Sequence, residues 1–153
     1  MASSLVKIDI HIIFHVKSTG ITMRNVDLPR IFQYIGGTIK GLNAIPTEVG
    51  GMPDHIHILT TLPKLMTVAD FVRYIKANSS KWIRQLDIAY KDFAWQDGYG
   101  AFSVSPTLLG KIINYIRRQE EHHKKRTFED EYKLFLKHYG IAYDEKFAFN
   151  DEG

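Results

Sequence analysis

From Val6 to Val16 the chain alternates apolar and polar residues almost without interruption, and this feature most narrows what it can fold into. Ile8, Ile10, Ile12, Phe14 and Val16 fall on one face. Lys7, Asp9, His11, His15 and Lys17 fill most of the other, with Ile13 the exception. A period of two predicts a strand with one buried and one polar face. Such a strand needs a sheet and a core. With 153 residues, 44% of them hydrophobic, the chain has enough material for one compact domain and too little for two ordinary ones. The expectation is a single domain over 1–153, with its core at about 5–126 and an acidic helix and tail over 127–153.

The remaining elements follow from periodicity and punctuation. Leu28, Ile31, Phe32, Ile35, Ile39 and Leu42 recur at helical spacing behind Asp27 as cap. Asn43 to Val49 reads as an edge strand, because Pro46 lacks a ladder donor, and Gly50-Gly51 reads as the turn after it. Residues 54–62 form the next strand and stop at Pro63. Thr67 with Asp70 opens a second helix, and Tyr99 to Ser105 reads as a fourth strand. A third helix starts at Ser105-Pro106 and runs to about Lys124; Thr127 with Asp130 caps a fourth that ends near Gly140. The order strand, helix, strand, strand, helix, strand predicts an α+β fold, a ferredoxin-like βαββαβ sandwich with an antiparallel four-stranded sheet and extra C-terminal helices. The first and third strands are then central neighbours. Two helices pack one sheet face, and the other face is expected to stay open.

Composition removes several chemistries. The chain has no cysteine, which excludes disulfides, thiol nucleophiles and cysteine-ligated metal centres. No apolar run approaches the ~20 residues of a membrane span, and the first residues lack the pattern of a signal peptide. A cytoplasmic protein that avoids membranes is expected. Charge is unevenly placed: Lys111, Arg117, Arg118, Lys124, Lys125 and Arg126 crowd one segment against Glu120 and Glu121, and an acidic segment follows. Such asymmetry suits a polyanion partner, although a solvated helix face has the same signature.

Two groups of residues carry possible chemistry. His55 and His57, two apart on a strand, point to the same face and can close on one metal ion; paired histidines bonded to nearby carbonyls are the alternative. On the third helix the apolar stripe of Leu108, Leu109, Ile112 and Ile116 turns into Tyr115, Gln119, His122 and His123. Tyr115 and Gln119 lie one turn apart on one face. Either the stripe leaves the core to face a site, or the tyrosine marks the rim of the core.

Pro53-Asp54-His55-Ile56-His57-Ile58-Leu59 resembles the His-hydrophobe-His signature of the single-tyrosine HUH transposases, which include the REP-associated tyrosine transposases and their insertion-sequence relatives. The run from Tyr115 to His123 is similar to that family's helix, in which a nucleophilic tyrosine precedes a glutamine by four. The segment from Phe93 to Ser105 is similar to the stretch entering its fourth strand. The resemblance extends from about Val6 to Phe128.

The resemblance implies that His55, His57 and Gln119 hold one divalent metal, Mg²⁺ or Mn²⁺, while Tyr115 attacks phosphorus to give a 5′-phosphotyrosine and a free 3′-OH. It also implies single-stranded, hairpin-forming DNA as substrate and a nucleoid-associated homodimer with composite active sites. His122 or His123 is a possible proton acceptor and Gly110 a possible hinge; close helix packing is the other explanation for that glycine. Lys111, Arg117, Arg118, Lys124, Lys125 and Arg126 can neutralise phosphates. A non-catalytic single-strand-binding module and a metal-dependent phosphodiesterase using water are the competing readings.

Overall fold

A computed structural model describes residues 3–18, 20–124 and 126–142, the side chain of His122 excepted. The elements are β1 (Asp9–His15), α1 (Leu28–Gly41), β2 (Pro46–Met52), β3 (His55–Thr61), α2 (Val68–Leu86), β4 (Gly100–Ser103), α3 (Leu109–Arg117), α4 (Gln119–His123) and α5 (Phe128–His138). The sheet order is β2-β3-β1-β4, with every pairing antiparallel, so β1 and β3 are the central strands as expected. Among the described residues no helix is long and apolar enough to cross a membrane.

One face of the sheet carries the main core. Ile10, Ile12, Phe14, Ile56 and Ile58 pack against Ile31, Ile35 and Ile39 of α1 and Phe71, Val72, Ile75 and Ile83 of α2. Each fully buried aliphatic side chain there contributes about 1.5–3 kcal/mol relative to exposure. Phe93 and Trp95 close the end of this core, and the Trp95 indole donates to Ser79 Oγ at 2.9 Å.

The opposite face is not open, and here the structure corrects the expectation. Ile13, Phe102, Phe128, Tyr132 and Leu136 form one cluster, and Leu59, Val104 and Ile116 form another. The C-terminal helices α3, α4 and α5 lie over this face. The reason is compositional: besides its histidines, the face exposes Ile13, Leu59, Phe102 and Val104, which water would not tolerate uncovered.

Several boundaries shift. β1 begins at Asp9 rather than Val6, leaving Val6 and Ile8 about half exposed, because Pro63 ends the partner strand. Asp27 does not cap α1 with its side chain; it accepts instead from the Tyr90 hydroxyl at 2.6 Å and from Arg24 at 2.9 Å. Thr67 and Thr127 cap as expected, their hydroxyls accepting from the amides of Asp70 and Asp130. The predicted long third helix breaks at Arg118, whose ψ of 24° departs from the helix, so that α3 and α4 are separate.

Gly50 and Gly51 lie within β2 instead of forming the turn, which falls at Pro53-Asp54. A Cβ on Gly50 would stand 2.6 Å from Ile116 Cγ2, so this glycine lets α3 approach the sheet. Gly51 has φ of +151°, and a Cβ there would collide with the His55 carbonyl oxygen. Gly51→Ala therefore has no unstrained solution and is expected to cost about 2–3 kcal/mol. Urea denaturation of the variant against the parent measures this; equal midpoints would refute the strain argument.

Candidate active site

Antiparallel register builds the site from β1 and β3. His15 stands opposite His55 and Ile13 opposite His57, which leaves His11 as the diagonal neighbour of His57 on the same face. The rings of His11 and His57 stack with centroids 5.1 Å apart, and His11 Nε2 lies 2.8 Å from His57 Nδ1. His55 Nδ1 is held 2.7 Å from Asp54 Oδ1. Each β3 histidine is thus fixed through Nδ1, and its Nε2 is turned toward the helical layer.

The helices bring the complementary groups. Gln119, first residue of α4, places Oε1 2.9 Å from His55 Nε2. Glu131 on α5 places Oε1 2.7 Å from His57 Nε2 and 3.7 Å from His55 Nε2, while its Oε2 lies 3.3 Å from His123 Nε2. Tyr115, on the last turn of α3, is half-buried with its ring centroid 5.7 Å from that of His57 and 5.6 Å from that of Phe135. Phe128 stacks on His55 at 4.5 Å. His55, His57, Gln119 and Glu131 are all nearly inaccessible to water.

The electrostatics follow from that enclosure. Burial is the largest influence on His57; it overrides the raising effect of Glu131 and brings the ring down to about 4. Burial and the neighbouring His57 likewise hold His11 well below the usual imidazole range, so both rings are neutral at pH 7. Burial alone would raise Glu131, but the bond and charge of His57, the Tyr115 hydroxyl and the charge of His55 bring it down to about 2. Tyr115 is pushed well above the ordinary phenol value by burial and then by the Glu131 carboxylate; Gln119 and Arg126 oppose this. His123 is lowered by burial and then by His55.

The donor set fits a divalent cation. One ligand atom each from His55, His57 and Glu131 lie within 4.8 Å of one another. The Gln119 amide is oriented by its nitrogen, which is directed at the Tyr115 carbonyl (3.4 Å) and Glu131 Oε2 (3.5 Å), so its oxygen faces His55. Both ring nitrogens of His55 therefore face oxygen atoms, Asp54 Oδ1 at 2.7 Å and Gln119 Oε1 at 2.9 Å. Two imidazoles, a carboxylate and an amide oxygen suit Mn²⁺, Zn²⁺ or Mg²⁺.

The remaining sequence expectations divide. His55, His57, Gln119, Tyr115 and His123 converge within one chain. Lys111, Arg118, Lys124 and Arg126 are exposed, and so is Arg117, which pairs with Glu48 at 3.2 Å. Lys125 and the His122 side chain lie outside the described residues. Gly110 is exposed, and a Cβ there would meet no atom within 4 Å, so packing does not require it. Strand pairing sets His11 beside the β3 histidines, as the strand order implies, whereas sequence reasoning missed Glu131. A signal for Glu131 existed: it is an acid inside the α5 stripe of Phe128, Tyr132, Phe135 and Leu136.

Residues 4–119 match the family described as transposase, IS200-like. Over 90 residues the chain is 30% identical to the ISDra2 transposase TnpA of Deinococcus radiodurans, a match covering 54% of this chain and 61% of that relative. The chain thus aligns with less than two thirds of that relative's length. Two solved structures share the fold. One, assigned as a transposase from Deinococcus radiodurans R1, superposes with TM-score 0.60 at 18% identity over 78% of this chain and 95% of that one. The other, a REP-associated tyrosine transposase bound to a REP hairpin, gives 0.58 at 13% identity over 80% and 73%.

Burial of neutral His57 makes stability depend on pH. Its folded value is depressed, so the unfolded chain binds more protons between about 6.5 and 4. Stability is therefore full above about 6.5 and falls as pH drops toward 4, by up to about 1.4 kcal/mol per pH unit for this group. His11 and Glu131 act in the same direction. Denaturant midpoints at pH 7.5, 6 and 5 should decline in that order; a flat profile would contradict the buried neutral rings.

Proposed function

This chain belongs to the IS200-like transposase family, and on that premise we propose that it cleaves and rejoins single-stranded DNA through a 5′-phosphotyrosine on Tyr115. His55, His57 and Gln119 hold one divalent cation, Mg²⁺ or Mn²⁺, and Glu131 is a further ligand. A divalent cation held by these residues would supply Lewis acidity to the scissile phosphodiester and its leaving 3′ oxygen. The observation that carries this reading is the meeting of Tyr115 with His57 at 5.7 Å while Gln119, one turn further on, faces His55 at 2.9 Å.

Tyr115 Oη forms the bond to phosphorus as the bond from phosphorus to the 3′ oxygen breaks. The phosphotyrosine retains the energy of the cleaved ester, so a later 3′-OH can reverse the step without a nucleotide cofactor. The phenol begins protonated, because burial and the Glu131 carboxylate both resist its ionisation. Engaging Glu131 elsewhere relieves the second effect. We assign proton uptake to His123, which is largely buried beside Glu131; His122 is the other candidate.

The relative bound to a REP hairpin supports hairpin-forming single strands as the substrate class. Lys111, Arg118, Lys124 and Arg126 are exposed near α3 and α4, where they can meet phosphates, and Arg117 can join by exchanging Glu48. Lys125 completes the basic segment. Because α5 covers the cluster, the nucleic acid gains access only when a helix moves. A homodimer with composite sites provides one route, with the tyrosine helix of each subunit docking on the histidines of the other around Gly110. The reaction then takes place in the cytoplasm, at the nucleoid.

Incubation with single-stranded hairpin DNA libraries and Mn²⁺, followed by denaturing electrophoresis, is expected to give a covalent protein–DNA adduct. Tyr115→Phe should abolish the adduct and retain DNA binding; chelation should suppress cleavage in the parent. Persistence of the adduct in Tyr115→Phe would rule out this nucleophile.

Gly110→Ala is expected to raise stability by up to about 1 kcal/mol through helix propensity and to slow strand transfer by restricting the hinge. Thermal denaturation and single-turnover kinetics measure the two effects. Unchanged strand transfer with raised stability would remove the hinge.

A further inference from the structure

His11 is the group the proposed chemistry leaves unused, although it is buried at the centre of the site. It is 1% exposed, its Nε2 makes a 2.8 Å bond to His57 Nδ1, and its Nδ1 has no hydrogen-bond partner among the described residues. Phe135 stands perpendicular to it at 5.1 Å and Phe102 edge-on at 6.4 Å, so its surroundings are aromatic. A buried imidazole with one nitrogen committed to a ligand histidine and the other unpaired has one geometric freedom, which is the choice of ring nitrogen that carries the proton.

We propose that His11 is a positioning residue that sets the tautomer of His57 and exchanges it when a cation is bound; this rests on the metal site proposed above. Without a cation, His57 Nε2–H donates to Glu131 Oε1 at 2.7 Å. His57 Nδ1 is then an acceptor, His11 Nε2–H donates to it, and His11 Nδ1 is bare, which agrees with its lack of a partner. For His57 Nε2 to serve as a ligand, its proton must go.

The proton count balances without charging either ring. Once the helical layer moves and admits water, His57 Nε2 gives up its proton to it, the proton shared across the 2.8 Å bond passes from His11 Nε2 to His57 Nδ1, and His11 Nδ1 takes one from that water. Two protons are present on the pair before and after, and both imidazoles remain neutral. Glu131, released from its hydrogen bond, keeps its negative charge for the cation. A side chain unable both to donate and to accept at this position would leave His57 Nδ1 unpaired in one state or the other, a cost that falls on metal affinity.

The test uses the full chain and metal ions alone. Imidazole ¹H–¹⁵N spectra of labelled protein should show His57 and His11 both protonated at Nε2 without metal, and both at Nδ1 after addition of diamagnetic Zn²⁺. Mn²⁺ affinity, read by electron paramagnetic resonance, should weaken about 10–100-fold in His11→Phe. In His11→Gln, whose amide can donate or accept near the Nε2 position, it should return to within a few-fold of the parent. Zn²⁺ binding with unchanged tautomers, or equal Mn²⁺ affinity in His11→Phe, overturns the role of His11 alone. Failure of the parent to bind either ion overturns the metal site as well. If His11→Phe does not fold, the parent spectra and the His11→Gln titration still decide.

Discussion

Three imidazoles, an amide and a carboxylate are enclosed between a sheet and a helical layer, and they are tolerable there because, His11 Nδ1 apart, they bond one another. An isolated carboxylate moved from water to such a place would cost far more than the net stability of a small domain. Glu131 is tolerated because His57, His55, His123 and the Tyr115 hydroxyl surround it. Removing any one of these leaves a buried charge or lone pair exposed to apolar neighbours. The polar cluster therefore organises the C-terminal half of the molecule as firmly as the isoleucines of the other sheet face organise α1 and α2.

The backbone departs from regular structure where this cluster requires it. Gly50 lets α3 come down onto β2, and Gly51 adopts a conformation that side chains avoid beneath the His55 carbonyl. Arg118 interrupts what would otherwise be one helix, offsetting α4 so that Gln119 opens it facing His55. Local rules are broken here and obeyed in α2, whose Thr67 cap and apolar stripe follow the sequence pattern, a contrast expected when a fold carries a site. Burial and the Glu131 carboxylate both keep the Tyr115 phenol protonated, and that carboxylate also belongs to the group of ligand atoms that could hold a metal ion.

Much of this was legible in the residues. The alternation of β1, the punctuation by Pro46 and Pro63 and the capping threonines led to the correct strand order and to the central pairing of β1 with β3. His-Ile-His on a strand and Tyr115 four before Gln119 on a helix pointed to side chains that the fold brings together. The open sheet face was misjudged because Ile13 was treated as an exception. Together with Leu59, Phe102 and Val104 it made that face half apolar, and such a face recruits a cover.

The one-dimensional order determined the elements, because periodicity and capping act within a few residues of chain. It could not determine what stands across the sheet from β3. Glu131 reaches His57 over a separation of 74 residues, and His11 over 46. Those meetings depend on register, helix offset and the packing of α5, which no local preference encodes. The sequence alone therefore specified two histidines on one strand face and a tyrosine and a glutamine on one helix face. Tertiary structure decided that a carboxylate and a third imidazole complete them, because only packing can offset the desolvation that their burial demands.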